Sequence, residues 1–197
     1  WDDLKLFITY GMITDEKFYE RAEKFSLFKT VDGKYFTFEE YEKLIKENQT
    51  DKNKTLIYLY TNNKEEQHSY IESAQNKGYD VLMMDGQLDP HLINSLESKL
   101  KDSRFVRDDS DVVEKLIVKE DRKEVSLPVE EQNDLRSVFE GALPEKAHYW
   151  VSFEELGETS SPVIITQSEF MRRMKDMAAM NPAAGFYGNM PDSLNLV

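Results

Sequence analysis

The sequence predicts a mixed α/β fold, α+β overall, in which a helical segment precedes a small parallel βαβαβ unit and a separate α+β domain. Three observations predict this class. Apolar residues recur at helical spacing over residues 1–48, a continuous apolar run of strand type begins at residue 56, and the last third combines strand-like runs with an amphipathic helix. Of the 197 residues, 40% are hydrophobic, which is enough to bury sizeable cores.

Residues 1–48 are predicted to form three helices. The second opens at Thr14-Asp15, and the third opens with a capping box in which the Thr37 hydroxyl and the Glu40 carboxylate each satisfy an exposed backbone amide. Asp32-Gly33 supplies the turn between the second and third helices. The apolar positions that define the three helices are Leu4, Phe7 and Ile8; Phe18, Ala22, Phe25 and Phe28; and Tyr41, Leu44 and Ile45.

The next segment alternates strands and helices. The runs at residues 56–60, 79–84 and 105–106 are typical of strands, and the first has the unbroken apolar character of a buried parallel strand. Gly78 ends the helix between the first two strands, and Asp89 is predicted to cap the next helix with Pro90 at its first position. This order predicts a small parallel sheet covered by helices.

A helix after Pro128 and strands at 149–153 and 163–166 are predicted for the last segment, followed by a methionine-rich helix. The predicted divisions of the chain are 1–53 (helical), 54–124 (small α/β unit) and 125–197 (α+β domain). We interpret the apolar run at 194–197 as a strand near a cut end, and the chain as a piece of a longer protein.

Composition and motifs argue against several function classes. A formal net charge of −13 repels phosphate backbones and anionic membranes, so neither nucleic acid nor membrane is an expected partner. The chain has no cysteine, which fits a cytoplasmic location, and its three histidines lie too far apart to form a ligand motif. We expect no metal site, no cofactor site and no catalytic residue.

Asp85 lies at the end of the second predicted strand, where open α/β sheets usually bind ligands. It is a candidate centre for small-molecule binding or phosphoryl acceptance. The preference of Asp-Gly for turns explains the same residue without a ligand, and this interpretation is favoured.

The methionine-rich helix divides into two populations when its residues are placed at about 100° per residue. With Phe170 at zero, Met174 falls near ~40° and Met177 near ~340°, which forms a core stripe, while Met171 and Met180 fall near ~100° and ~280° on its two edges. Arg172 is placed on the back of the helix, with Lys175, Asp176 and Ala179. Either the wide apolar arc is buried on two sides, or its edges and the Phe186-Tyr187 loop form an adaptable binding surface.

Three groups of residues resemble the bacterial branch of the 90-kilodalton heat-shock chaperone family. They are FMRRMKDM at 170–177 with NMPDSLNLV at 189–197, YGMITDEKFY at 10–19 with DGKYFT at 32–37, and KGYDVL at 77–82 with LDP at 88–90. The resemblance covers essentially the whole chain in order. It implies the end of the family's middle domain, with a large helical and a small α/β subdomain, followed by a C-terminal domain without the terminal dimer helices.

The resemblance implies an ATP-driven homodimer that closes around unfolded or partly folded client proteins. In the full-length protein ATP and magnesium bind in an N-terminal domain that lies outside this chain, so the piece itself is not expected to be an enzyme. Client contacts are implied at Pro90, His91 and Asn94, and at Phe170, Met171, Met174, Met177 and Met180. Some members of the family carry a larger aromatic residue at the position of His91.

The function predicted from the sequence is therefore that of a piece of an ATP-dependent chaperone that binds and remodels clients. One alternative is the α/β module centred on Asp85. Another is a structural interaction module whose methionine face stays buried against a partner domain.

Overall fold

The computed structural model describes residues 1–119, 125–143, 148–155, 161–169, 172–173 and 193–197. The chain divides into two compact units, the first formed by Trp1–Asp108 and Leu116–Lys119, and the second by Asp109–Lys115 and the described part of Glu120–Val197. The predicted mixed α/β class is confirmed. The predicted divisions at residues 53/54 and 124/125 stay predictions.

Two short helices open the first unit, α1 (Lys5–Thr14) and α2 (Glu16–Ala22). The Asp15 carboxylate between them accepts a hydrogen bond from the Phe18 amide at 3.0 Å, which starts α2 as predicted. Of the three apolar positions predicted for this helix, only Ile8 packs against the core, and Leu4 is 58% exposed. Phe7 is 72% exposed, whereas Thr9 and Met12 are the buried residues of this helix.

The prediction that the second helix continues through Phe25 and Phe28 is also wrong. The helix ends at Ala22, and Phe28 lies in a strand, β1 (Leu27–Lys29), that pairs antiparallel with β2 (Tyr35–Thr37). Gly33 closes this hairpin with a φ of +77°, which glycine adopts without strain. The spacing of these aromatic residues is compatible with a helix or with a strand. In the strand, the Phe28 ring stacks on Phe38 with 4.3 Å between the ring centroids.

Helix α3 (Phe38–Ile45) begins with the predicted capping box. The Glu40 amide donates to the Thr37 hydroxyl at 3.3 Å, and the Thr37 amide donates to the Glu40 carboxylate at 2.8 Å. Tyr41 and Ile45 are buried as expected, but Leu44 is 49% exposed.

A three-stranded parallel sheet follows in the order β4-β3-β5, formed by β3 (Leu56–Thr61), β4 (Val81–Met83) and β5 (Ser103–Arg107). The connecting helices are α4 (His68–Asn76) and α5 (Asp89–Lys99). The βαβαβ prediction is confirmed, including the glycine after the first helix, since Gly78 has a φ of +76° just beyond α4.

The start of α5 differs from the prediction. Leu88 occupies the capping position and Asp89 is the first helical residue, with Pro90 in the same turn. The Asp89 carboxylate points back and accepts a hydrogen bond from the Gly86 amide at 2.9 Å, so it organises the preceding loop rather than capping the helix.

Aromatic rings join the hairpin, α3 and the sheet in one core. Tyr58 stacks on Phe105 at 4.7 Å, and Phe28 lies 5.6 Å from Tyr41 and 6.0 Å from Tyr58 between ring centroids. All four rings are buried. The packed core therefore supports both α5 and the loops around it.

The second unit contains helix α7 (Val129–Ala142), which follows a single turn, α6 (Val113–Leu116), on the chain. Its sheet has the order β6-β8-β7, with β6 (His148–Val151) parallel and β7 (Ile165–Gln167) antiparallel to β8 (Ser193–Leu196). The strands predicted near 149–153, 163–166 and 194–197 are confirmed, with shifted ends.

Candidate functional site

Helix α5 carries the three predicted client contacts that the structure describes. His91 and Asn94 are exposed and Pro90 is half-buried, while Leu92, Ile93 and Leu96 are buried on the opposite side of the helix. His91 and Asn94 are three residues apart, so they are neighbours on the helix surface. We call Pro90, His91 and Asn94 the outer face of α5.

Ion pairs hold α5 against the first two helices at both of its ends. At the beginning, Lys5 Nζ lies 2.6 Å from the Asp89 carboxylate. At the end, Lys99 Nζ lies 2.6 Å from both Glu16 carboxylate oxygens and 4.2 Å from the centre of the Tyr19 ring. The outer face of α5 is therefore presented on a fixed helix.

The Asp89 carboxylate is unusually buried for a charged group, because its side chain is only 2% exposed. Burial raises its pKa, and the nearby Lys5 ammonium and the Gly86 amide oppose that rise by stabilising the ionised form. Lys5 is 21% exposed, so this pair joins a buried group to a partly solvated one.

An open cleft of about 380 Å³ lies beside this pair, between α1 and the loop before α5. Its rim includes Asp2, whose carboxylate accepts from Lys29 Nζ and from the Tyr35 hydroxyl, each at 2.8 Å. The hydrogen bond from Lys29 has the largest effect and that from Tyr35 the next, and both lower the pKa of Asp2. We call this space the α1–α5 cleft; six residues that line it are Asp2, Lys5, Leu6, Asp85, Leu88 and Asp89.

Asp85 lies on the loop after β4 with 57% of its side chain exposed. In doubly wound sheets of this order the switch point lies between the central strand, here β3, and the strand that β5 represents, whereas β4 is an edge strand. The location of Asp85 is thus not the one at which such sheets usually bind ligands. The structure favours the turn interpretation over a phosphoryl-acceptor centre.

The second predicted set of client residues lies outside the described residues. It comprises Phe170, Met171, Met174, Met177, Met180, Phe186 and Tyr187. Arg172, which the helical projection placed on the polar back of that segment, is buried instead, at 3% exposure. Its guanidinium lies 2.8 Å from Glu169 and 3.6 Å from Asp109, and these two carboxylates compensate for its burial.

Sequence reasoning missed an exposed apolar surface on α1. Leu6, Phe7 and Tyr10 are 49%, 72% and 62% exposed and are neighbours at helical spacing. A signal was present, since α1 has apolar residues around most of its circumference, but periodicity could not tell which side packs.

The described residues contain neither a cluster of metal-ligating side chains nor a membrane-spanning helix. No three histidine or acidic side chains in these ranges lie close enough together to hold a metal ion. The helices of the same ranges include none with the length and apolar character needed to cross a bilayer.

A family model described as "Hsp90 protein" matches residues 1–188. The chain belongs to the Hsp90 family. It is 59% identical over 199 aligned residues to the chaperone protein HtpG of Bacteroides fragilis, 56% to that of Bacteroides thetaiotaomicron and 53% to that of Porphyromonas gingivalis. Each alignment covers 100% of this chain and 29% of the relative, so the chain spans less than a third of these Hsp90-family proteins.

A solved middle domain of a Plasmodium falciparum heat shock protein is also similar, at 20% identity and a TM-score of 0.38 over 52% of this chain and 42% of that one. This likeness is too weak to support an argument. The assignment to the Hsp90 family depends on the sequence matches.

Proposed function

We propose that this chain is a client-binding part of an ATP-dependent Hsp90-family chaperone that binds and remodels partly folded proteins. The single observation that carries the proposal is 59% identity to a curated HtpG chaperone along the whole chain. The outer face of α5 is one client contact, and the methionine-rich segment around residues 170–180 is the second.

The remaining parts of the activity belong to the full-length protein. ATP with magnesium would bind in the N-terminal domain, and homodimer formation would depend on helices beyond the matched region. The chain itself contributes client contacts and no catalytic residue. The proposed location of the full-length protein is the cytoplasm.

The geometry of α5 supports a role in binding. Ion pairs at both ends and a buried apolar side hold the helix, so its backbone loses little additional freedom when a partner binds. The outer face offers an imidazole, an amide and a proline ring rather than a large apolar patch. Such a face suits weak binding of many partners in combination with a second, apolar site.

The experiment that tests this function measures binding of the chain to a model protein in two states. A fluorescently labelled, reduced and alkylated protein that cannot refold should bind, and its folded, disulfide-bonded form should bind at least tenfold more weakly. A His91→Ala and Asn94→Ala double variant should weaken binding of the unfolded form.

Equal affinity for the folded and unfolded forms would contradict the proposed function. Both side chains are exposed, and urea denaturation of the variant checks that it remains folded.

A further inference from the structure

The α1–α5 cleft combines apolar walls with an excess of negative charge. Leu6 and Leu88 contribute the apolar part. Among the described residues that line it, three are aspartates and two are lysines. Its volume of about 380 Å³ is in the lower range of pockets that bind small groups, so one long side chain can enter it.

Both lysines of the cleft are already engaged by carboxylates. Lys29 Nζ lies 2.8 Å from Asp2, and Lys5 Nζ lies 2.6 Å from the buried Asp89. The third carboxylate, Asp85, is 4.0 Å from Lys5 and 57% exposed. Because Asp89 holds the same ammonium more closely, Asp85 presents a largely uncompensated charge at the cleft rim.

Exposed apolar residues of α1 adjoin the lining of the cleft. Leu6, which lines it, is followed on α1 by the exposed Phe7 and Tyr10. A polypeptide that places one side chain in the cleft can therefore place a neighbouring apolar residue on α1.

We propose that the α1–α5 cleft binds an arginine or lysine side chain of an extended client segment whose neighbouring residues are apolar. The charged head lies at Asp85, and the methylene stem lies along Leu6 and Leu88, as long basic side chains do on apolar surfaces. The formal net charge of −13 favours the approach of such segments. This inference rests on the proposed client-binding function and adds a class of recognised side chain.

The test compares two labelled peptides by fluorescence anisotropy on the 197-residue chain. One carries a single arginine between leucine and phenylalanine residues, and the other carries citrulline, which has nearly the same shape without the charge. The arginine peptide should bind about two- to fivefold more tightly, the range of a solvent-exposed ion pair, and the difference should shrink in high salt.

The variant Asp85→Asn should remove this preference and leave the affinity for the citrulline peptide unchanged. Glu47→Gln is the matched control, because Glu47 is an exposed carboxylate on the turn after α3, outside the lining of the cleft. It should retain the preference for arginine.

Equal affinity of the two peptides for the unmodified chain would overturn the proposal, as would equal loss of preference in Asp85→Asn and Glu47→Gln. Failure of both peptides to bind would also overturn it. If the chain still binds the reduced and alkylated model protein in that case, only the cleft proposal has failed. If it does not bind that protein either, the proposed client-binding function has failed too.

Discussion

In the first unit Asp80 is a half-buried carboxylate and Asp89 a fully buried one, and burial raises the pKa of each. Asp80 accepts a hydrogen bond from the Tyr41 hydroxyl at 3.0 Å, which lowers its pKa by a smaller amount. Glu40 is the opposite case. Its carboxylate is exposed, and the hydrogen bond from the Thr37 amide lowers its pKa.

Replacing Asp80 with asparagine should give a pH-dependent change in stability. The folded chain protonates Asp80 at a higher pH than the unfolded chain, so this group adds stability at low pH and loses it as pH rises through the folded pKa. Urea unfolding at pH 7 and at about pH 4, near the ordinary pKa of an aspartate, should therefore show that the stability of the parent chain relative to the Asp80→Asn variant increases as pH falls.

Glu40→Gln supplies a control of opposite sign. The lowered pKa of Glu40 contributes stability at neutral pH, and this contribution is lost as pH falls through the folded pKa. The parent chain should therefore be more stable than the Glu40→Gln variant at neutral pH, and the difference should shrink in acid. The same pH trend in both variants would contradict the assignment of the two shifts to burial and to hydrogen bonding.

At the scale of elements, helix boundaries in this chain depend on a few local hydrogen bonds, whereas the packed side of a helix depends on its neighbours. The capping box at Thr37 and the left-handed Gly78 were predictable because the groups that satisfy each helix end are adjacent in sequence. The buried face of α1 was not, because its neighbours are distant in the chain. Lys5 and Asp89, 84 residues apart, illustrate the same dependence.

Removing one member of the Lys5–Asp89 pair should destabilise the chain far more than removing an exposed pair. Lys5→Met leaves a buried carboxylate without its ammonium and should cost about 3 kcal/mol of unfolding free energy. The double variant with Asp89→Asn should recover part of that loss, because the buried charge is then gone. Lys43→Met is the control, since Lys43 and Glu39 are 70% and 79% exposed, and solvent screens their attraction so that its loss should change the stability little.

Urea denaturation of the three variants measures these differences. Similar costs for Lys5→Met and Lys43→Met would show that the Lys5–Asp89 pair does not hold α5. In that case the outer face of α5 would depend on its apolar packing alone.

At the scale of the whole molecule, two compact units carry the two predicted groups of client contacts. The outer face of α5 belongs to the first unit, which has its own aromatic core. The methionine-rich segment falls in the second unit, and its division into core and edge residues stays a prediction from helical geometry.

Replacing Met171 and Met180 together with serine should weaken binding of an unfolded protein about tenfold or more, because each methionine buried in a contact contributes roughly 1.5–3 kcal/mol. The melting temperature should change little. Replacing Met174 and Met177 with serine is the matched control and should lower the melting temperature, since these residues are predicted to be core. Unchanged client affinity in the Met171 and Met180 variant, or a collapse of its stability, would reject the division.

The sequence by itself determined the family, the mixed α/β class, the βαβαβ order and the capping box, because these depend on local patterns and on residues that match relatives along the whole chain. Only the tertiary structure decided that Phe28 lies in a strand, that Asp89 is buried against Lys5 and that Arg172 is enclosed by Glu169 and Asp109. It also revealed the α1–α5 cleft. The pairs Lys5–Asp89 and Arg172–Asp109 join groups distant in sequence, whose burial and charge compensation cannot be derived from local spacing.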